Sequence, residues 1–433
     1  MRLAGWGNYP QICCRIAELR VAADGLVTDG PLIARGLGRS YGDAALQSNL
    51  TVLTRRLDRL LAFDPGSGLL SCEAGVTLGA LLDLFLPRGW LPPVMPGTKF
   101  VTIGGMVAAD VHGKNHHHAG SFGRHLRSLR LMLADGRVVT CDREHHRDLF
   151  DATIGGMGLT GIILSADFRL QPVRTAWVCA ETLRAPSLEA ALEAFEASAA
   201  STYSVAWIDA LSGAGRCLLS RGELAEPDQL PLGLPPLRLP PKRSIRIPVD
   251  FPGFVLNRWS ARAFNAFYYS TSPRRPVRRL MDCQSFFFPL DALLEWNRLY
   301  GRAGFTQYQC VLPKPAGQAG LDSLLATIRA SGFGSFLAVL KLFGRQDGLM
   351  SFPLEGYTLA LDFPVRPPTL SLLDRLDAIV ADHGGRLYLA KDARTSPDML
   401  RRFYPQLACF QDIRAKWGAI GHMHSQLAER LHL

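Results

Sequence analysis

Apolar and polar positions along this chain follow two alternating rhythms, neither sustained for long. In the first third, short strand-like runs are punctuated by glycine. Residues 71–76, 130–133 and 162–170 read as strands, and 77–86 as a helix with one apolar face. Asp135-Gly136, flanked by Leu131-Met-Leu133 and Val138-Val139, is a hairpin signal, because those residues tolerate the backbone a tight turn demands. After Pro172 come a helix over 187–199 and a strand over 203–208. Proline and arginine then recur so often from Pro231 to Pro276 that regular structure is hard to sustain. Beyond lie an amphipathic helix over 291–300, a strand over 307–312, a helix over 321–331, and strands over 336–343 and 357–363. A helix over 369–383, a turn at Gly384-Gly385, a strand over 386–390 and terminal helices complete the chain. This order predicts an α+β fold with mixed sheets, not the strict strand-helix alternation of a doubly wound fold.

The length of 433 residues exceeds what one hydrophobic core supports, so two or three domains are expected. Hydrophobic residues at 48% and charged residues at 20% are ordinary globular composition and exclude extensive disorder. Nine cysteines without a CxxC pair argue against a disulfide framework or a zinc cage. The first dozen residues lack the apolar core of a secretory signal, and no apolar run approaches the roughly 20 residues that span a bilayer. The expectation is a cytoplasmic protein or one peripheral to the inner membrane, with its periplasmic face left open. The net charge of +10 asks for an anionic partner. Between Lys242 and Arg279 stand nine basic residues against the single acid Asp250, interleaved with aromatics such as Trp259, Phe264 and Tyr268. No nucleic-acid-binding motif accompanies them, so nucleic acid is not the expected partner. A membrane-interface segment or a solvated loop fits such a stretch.

Three glycine-rich segments carry the candidate chemistry. The first, Arg35-Gly-Leu-Gly-Arg-Ser-Tyr-Gly-Asp43, follows an apolar run and can form an anion-binding concavity, a pyrophosphate being the natural guest. A plain β-turn with surface arginines is the alternative. It is not a dinucleotide fingerprint of the GxGxxG type, since Tyr41 occupies the third glycine position. The second segment, Pro96-Gly-Thr-Lys-Phe-Val-Thr-Ile-Gly-Gly-Met106, leads to His112 and to His116, His117 and His118. Three consecutive histidines do not converge on one ion, so no metal is expected. The third, Thr153-Ile-Gly-Gly-Met-Gly-Leu-Thr-Gly-Ile-Ile163, enters a strand. Three such loops beside strands suggest one extended ligand gripped at several points.

In order and content these segments resemble the FAD-binding domain of the vanillyl-alcohol-oxidase-type flavoprotein superfamily, and within it the branch acting on polyprenyl-phosphoryl ribose. The likeness extends to Ala206-Trp-Ile-Asp-Ala210, Gln307-Tyr-Gln309, Lys341-Leu-Phe-Gly344 and Gly384-Gly-Arg-Leu-Tyr-Leu-Ala-Lys-Asp392. It implies an FAD domain made of residues 1–175 and 386–433. A substrate domain on an antiparallel sheet, 176–385, would be inserted between them, with a mobile basic loop at about 236–280.

Carried over by position, Arg35, Gly36, Leu37, Gly38, Arg39, Ser40 and Tyr41 resemble the pyrophosphate loop. Gly97, Thr98, Thr102, Gly104, Gly105, His112, Ile162 and Tyr388 resemble flavin and adenine-side contacts. Trp207, Gln307, Gln309, Lys341 and Thr358 resemble substrate-pocket residues. Lys391 resembles an essential lysine beside flavin and substrate, and His112 is either a polar flavin contact or a general base. Many relatives bear, at the place of Arg39, a histidine bonded covalently to the flavin. Arginine cannot make that bond, so the FAD is expected to be non-covalent. Ala360 stands where well-known members carry a cysteine, so inhibitors that capture that thiol should fail here.

The implied reaction is oxidation of the 2′-hydroxyl of a polyprenyl-phosphoryl ribose to the 2′-keto sugar. It is the first half of an epimerisation to the arabinose form for a cell-envelope polysaccharide. A lipid-linked sugar phosphate would be the substrate, an NAD-dependent keto-reductase the partner, and peripheral contact with a membrane the setting. The alternatives are a soluble alditol or aldonolactone oxidase and a catalytically silent flavin- and lipid-binding partner protein.

Overall fold

The computed structural model describes residues 1–20 and 30–433. Three sheets organise the molecule. A small parallel sheet pairs Leu50–Leu53 with both Ile16–Glu18 and Leu32–Arg35. A five-stranded antiparallel sheet runs in the order Val138–Asp142, Leu126–Met132, Ile162–Arg169, Leu69–Glu73, Leu60–Asp64. The Asp135-Gly136 turn joins its first two strands, with Val138 opposite Met132. Leu78–Phe85 is helical as the apolar periodicity requires, and the Thr77 hydroxyl caps it by accepting from the Ala80 amide at 3.1 Å.

The third sheet has eight strands, every pair antiparallel, from Val277–Asp282 at one edge to Arg386–Leu387 at the other. Helices Leu188–Ala197, Gly317–Ser331 and Pro367–Asp382 cover its back. There Phe195, Leu324 and Leu376 pack with Ala206, Leu340 and Leu359 of the strands in the largest core cluster. Period-two alternation leaves the next residue of each strand on the front, which faces the glycine-rich loops.

The end of the chain returns to the first sheet. The His424 amide donates to Leu32 O at 2.9 Å, and the Leu32 amide donates to His422 O at 2.8 Å. Arg414, fully buried, donates from Nε to Leu159 O at 3.0 Å and from Nη2 to Met423 O at 3.1 Å. Among the described residues, no helix is long and apolar enough to cross a membrane.

Three local expectations are corrected. Residues 291–300 do not form one helix, but two short 3₁₀ turns, Pro289–Ala292 and Trp296–Tyr300. Glu295 between them has a φ of 57°, outside the helical region, and Asp291 turns inward to accept from the Lys99 amide at 2.8 Å. The basic segment is not wholly irregular: Arg258–Thr271 is a helix. It contains neither proline nor glycine, and Asn257 Oδ1 caps it by accepting from the amides of Trp259 (2.7 Å) and Ser260 (3.1 Å). The strand expected over 386–390 stops after Leu387 and belongs to the eight-stranded sheet, because the chain turns there and the Lys391 amide bonds back to Tyr388 O.

Candidate active site

A cavity of about 1050 Å³ lies between the glycine-rich loops and the front of the eight-stranded sheet. That is at the upper end of the roughly 300–1,000 Å³ of small-molecule sites, room for an extended cofactor and more. Glycine is structurally required on the loop side. A Cβ on Gly36 would lie 2.2 Å from Thr102 Oγ1, and one on Gly42 would lie 2.0 Å from Asp392 O. At Gly97 a Cβ would meet no atom within 4 Å, so the backbone there borders open cavity.

The loop residues divide by direction. Gly36, Leu37, Gly38, Arg39, Ser40 and Tyr41 border the cavity, as do Gly97, Thr98, Thr102, Gly104 and Gly105. Arg39 donates from Nε to Phe100 O at 3.2 Å, and its guanidinium lies 4.1 Å from the Trp6 ring centroid. Burial lowers its pKa and nearby Asp291 opposes that shift; it is a positioned cation at the edge of the cavity. Arg35 points elsewhere and donates to Ala4 O at 2.6 Å and to Ala45 O at 3.3 Å. Ile162 packs with Leu32 and Met132, while its neighbours Gly161 and Ile163 border the cavity. Both therefore shape the cradle from behind.

On the sheet side, Gln307 and Gln309 share the front face and Tyr308 is buried in the core behind. Gln309 Nε2 donates to Thr358 Oγ1 at 3.2 Å and lies 3.0 Å from His112 Nε2. The Thr358 hydroxyl spends its own proton on Cys310 O at 2.8 Å. This network assigns His112 Nε2 as acceptor and places the ring proton on Nδ1. Burial first, then the charge of Lys341, hold the His112 pKa well below the usual histidine range, so the ring is neutral. Thr358 itself does not border the cavity; it orients Gln309. Tyr388 stacks on Phe352 with centroids 4.7 Å apart and donates to Ala109 O at 2.8 Å. His116 and His117 take separate partners, Gln346 Oε1 at 3.0 Å and Ser201 O at 2.8 Å.

Lys391 occupies the turn just past the last strand, its ammonium 3.6 Å from the Tyr41 ring centroid. Burial lowers its pKa, and the carboxylate of Asp362 opposes that shift. Asp362 is buried on the front of Gly356–Pro364 and accepts from Gln307 Nε2 at 2.6 Å; burial pushes its pKa up. Lys341 and Lys114 are half-buried cations at the cavity, their pKa values lowered by desolvation to about 8 and about 7. Lys114 lies over the Phe286 ring at 4.4 Å and donates to Phe286 O.

Sequence reasoning passed over Asp362 and Lys114. Parity would have found the first, since Asp362 follows Thr358 and Ala360 at alternate positions of one strand. Lys114 sits two residues beyond His112 in the same glycine-bounded segment.

Donors, cations and a side-chain-free cradle on the loops face hydrogen-bonding groups on the sheet, an arrangement that fits a bound dinucleotide and a polyol. A family model for the FAD binding domain matches residues 17–142. With Arg39 where a covalent histidine would stand, the chain is a non-covalent FAD-dependent oxidoreductase of the vanillyl-alcohol-oxidase superfamily. Over its whole length it is 39% identical to decaprenylphosphoryl-beta-D-ribose oxidase of Mycolicibacterium smegmatis, covering 97% of that protein. It belongs to that oxidase family. It is also 36% identical, over 83% of its length, to the whole of an uncharacterized protein encoded in the mprA 5′ region of Streptomyces coelicolor. By contrast, its 27% identity to D-arabinono-1,4-lactone oxidase of Yarrowia lipolytica spans 47% of the chain.

Ala360 borders the cavity, with Gln309 and Val339 as its register partners. The nearest thiol in register, Cys310, is in the core and is pushed up to about 12 by burial. Thiol-capturing inhibitors are therefore expected to leave the mass of the wild-type protein unchanged and to modify Ala360→Cys once. Modification of the wild type at Cys310 would contradict this placement.

Proposed function

We propose that the enzyme oxidises the 2′-hydroxyl of a polyprenyl-phosphoryl ribose to the ketone, delivering a product that a separate hydride-donating reductase converts to the arabinose form. The carrying observation is that Lys391, Gln307, Gln309 and Lys341 all border the cavity, in a chain whose similarity to a decaprenylphosphoryl-ribose oxidase covers its whole length.

When bound, FAD supplies the hydride acceptor. The amine of Lys391 takes the hydroxyl proton as the C–O bond becomes a carbonyl. Burial brings its deprotonation down from the ordinary lysine range, and the Tyr41 ring and Asp362 receive the resulting ammonium. His112 is an unsuitable base, since its Nε2 already accepts from Gln309; it serves as a neutral polar contact. Gln307 and Gln309 orient sugar hydroxyls from one strand face. Lys341 and Lys114 hold the phosphate: each is desolvated and regains a counter-charge when an anion enters.

The exposed face of Arg258–Thr271, with Trp259 at 72% and Phe267 at 67% exposure beside Arg258 and Arg262, suits a membrane interface carrying anionic lipid. The aldonolactone-oxidase reading is less well supported, because the likeness to those enzymes covers less than half of the chain.

The test is anaerobic flavin reduction against a panel of lipid-linked and free sugars. Bleaching by a polyprenyl-phosphoryl ribose but not by free alditols is expected; the reverse pattern overturns the reading. The pH dependence of that reduction checks the base. Because the Asp362 carboxylate holds the Lys391 pKa up, Asp362→Asn lets the amine form at lower pH. The rising limb of reduction rate then begins about one unit earlier. An unmoved limb would show that Asp362 is not the electrostatic partner of Lys391.

A further inference from the structure

The cavity does not end where a flavin and a pentose would end. Its floor follows front-face residues strand by strand, from Gln309 on Phe305–Pro313 through Val339 to Trp207. It then continues through Val205, Ser220 and Thr182 to Val277 on the outermost strand. Seven strands are crossed in six steps, about 29 Å at the usual inter-strand spacing. The final three steps, about 14 Å, lie beyond Trp207 and therefore beyond the hydrogen-bonding end.

This outer stretch is a channel with a roof. Tyr268 of the helix Arg258–Thr271 borders it on one side, its ring 5.0 Å from Trp207. Phe286 of Cys283–Phe287 borders it on the other. Val205, Leu218, Ser220, Thr182 and Val277 line the floor, and the channel runs out at the edge strand, where Arg279 joins the lining. A free sugar or a second nucleotide would leave its apolar floor and walls uncovered. A chain of hydrocarbon attached to a phosphate held by Lys341 and Lys114 would fill it.

We propose that this groove across the outer strands, from Trp207 to Val277, binds the isoprenoid chain of the substrate next to its phosphate. The assignment rests on the lipid-linked reading given above. It makes the roofing helix a tail clamp as well as a surface element: the inner aromatic Tyr268 covers the chain where it enters, and the outer aromatics meet the bilayer from which it comes.

Two measurements test it. Decaprenyl-phosphoryl ribose and dimethylallyl-phosphoryl ribose are compared as reductants of the bound flavin in wild type and in Thr182→Phe and Ser220→Phe. A phenyl group in the channel displaces the contacts of at least two methylenes. The ratio of long-chain to short-chain kcat/KM is thus expected to fall about tenfold. An unchanged ratio in both variants overturns the groove while leaving the substrate reading intact. Bleaching of wild type by neither compound overturns that reading and the groove with it. Should either variant fold poorly, wild-type enzyme is photolabelled instead with a farnesyl-phosphoryl ribose carrying a diazirine in its second isoprene unit. Crosslinks on peptides containing Thr182, Ser220 or Val277 support the groove. Crosslinks confined to Trp259 and Phe267, on the outer face of the helix, overturn it.

Discussion

Lys391→Ala is expected to slow anaerobic flavin reduction by about a thousandfold, within the range for removing a positioned acid–base group, while the purified protein stays yellow. The lysine sits in a turn and lies against Tyr41, and the cradle formed by Gly36, Gly97 and Arg39 does not depend on its side chain. Cofactor content should therefore survive the change. Lys391→Arg separates the two things a cation can do here. Arginine keeps a charge beside Tyr41 but does not deprotonate, so a role as base predicts that it is as inactive as alanine. Stopped-flow absorbance at the flavin band is the measurement, and reduction at the wild-type rate by either variant would remove Lys391 from the chemistry.

The second large effect lies at the other end of the chain. Arg430, in the last helix, Gln426–Leu431, donates to both oxygens of Asp43 at 2.9 and 3.0 Å and lies 2.9 Å from Asp392 Oδ2. Asp43 closes the glycine-rich loop that begins at Arg35, and Asp392 adjoins Lys391. One guanidinium thus ties the loop, the turn that bears Lys391 and the last helix together. Both carboxylates are 4% exposed, and removing their shared partner leaves two buried like charges facing each other. Arg430→Ala is expected to cost about 3–5 kcal/mol, the range for breaking a buried pair, and to release FAD on desalting. Urea unfolding and flavin content after gel filtration read the two effects. Unchanged values for both would show that the clasp is dispensable.

Much of this was legible in the sequence because the governing physics is local. The strand Tyr203–Ile208 and the helices Leu78–Phe85 and Leu188–Ala197 follow from the period of apolar residues alone. Same-face placement of Gln307 and Gln309 needed only a period of two. What was illegible depends on contacts distant in sequence. The break in 291–300 is fixed by Asp291 turning to the Lys99 amide across 192 residues, which no periodicity reports. Arg35 and Arg39 look equivalent in a glycine-rich loop, yet one is spent on Ala4 O and the other faces the cavity. The resemblance makes Thr358 a substrate contact by position alone; the hydroxyl's bonds to Cys310 O and Gln309 show that it instead acts through Gln309. The helix Arg258–Thr271 was hidden by counting prolines over too wide a window, since they flank that stretch and none falls inside it.

The helices Leu188–Ala197, Gly317–Ser331 and Pro367–Asp382 seal one side of the eight-stranded sheet and leave the other to ligand. Stability and selectivity are thereby written in alternate letters of the same strands. Odd and even positions answer to different pressures, so ligand preference can drift by point replacement at 205, 207, 218 or 220 without disturbing what lies behind. A one-residue insertion within any of these strands would exchange the two alphabets at once. Divergence among such enzymes, or their deliberate redesign, is accordingly expected to proceed by swaps at every second residue and by length changes in loops alone.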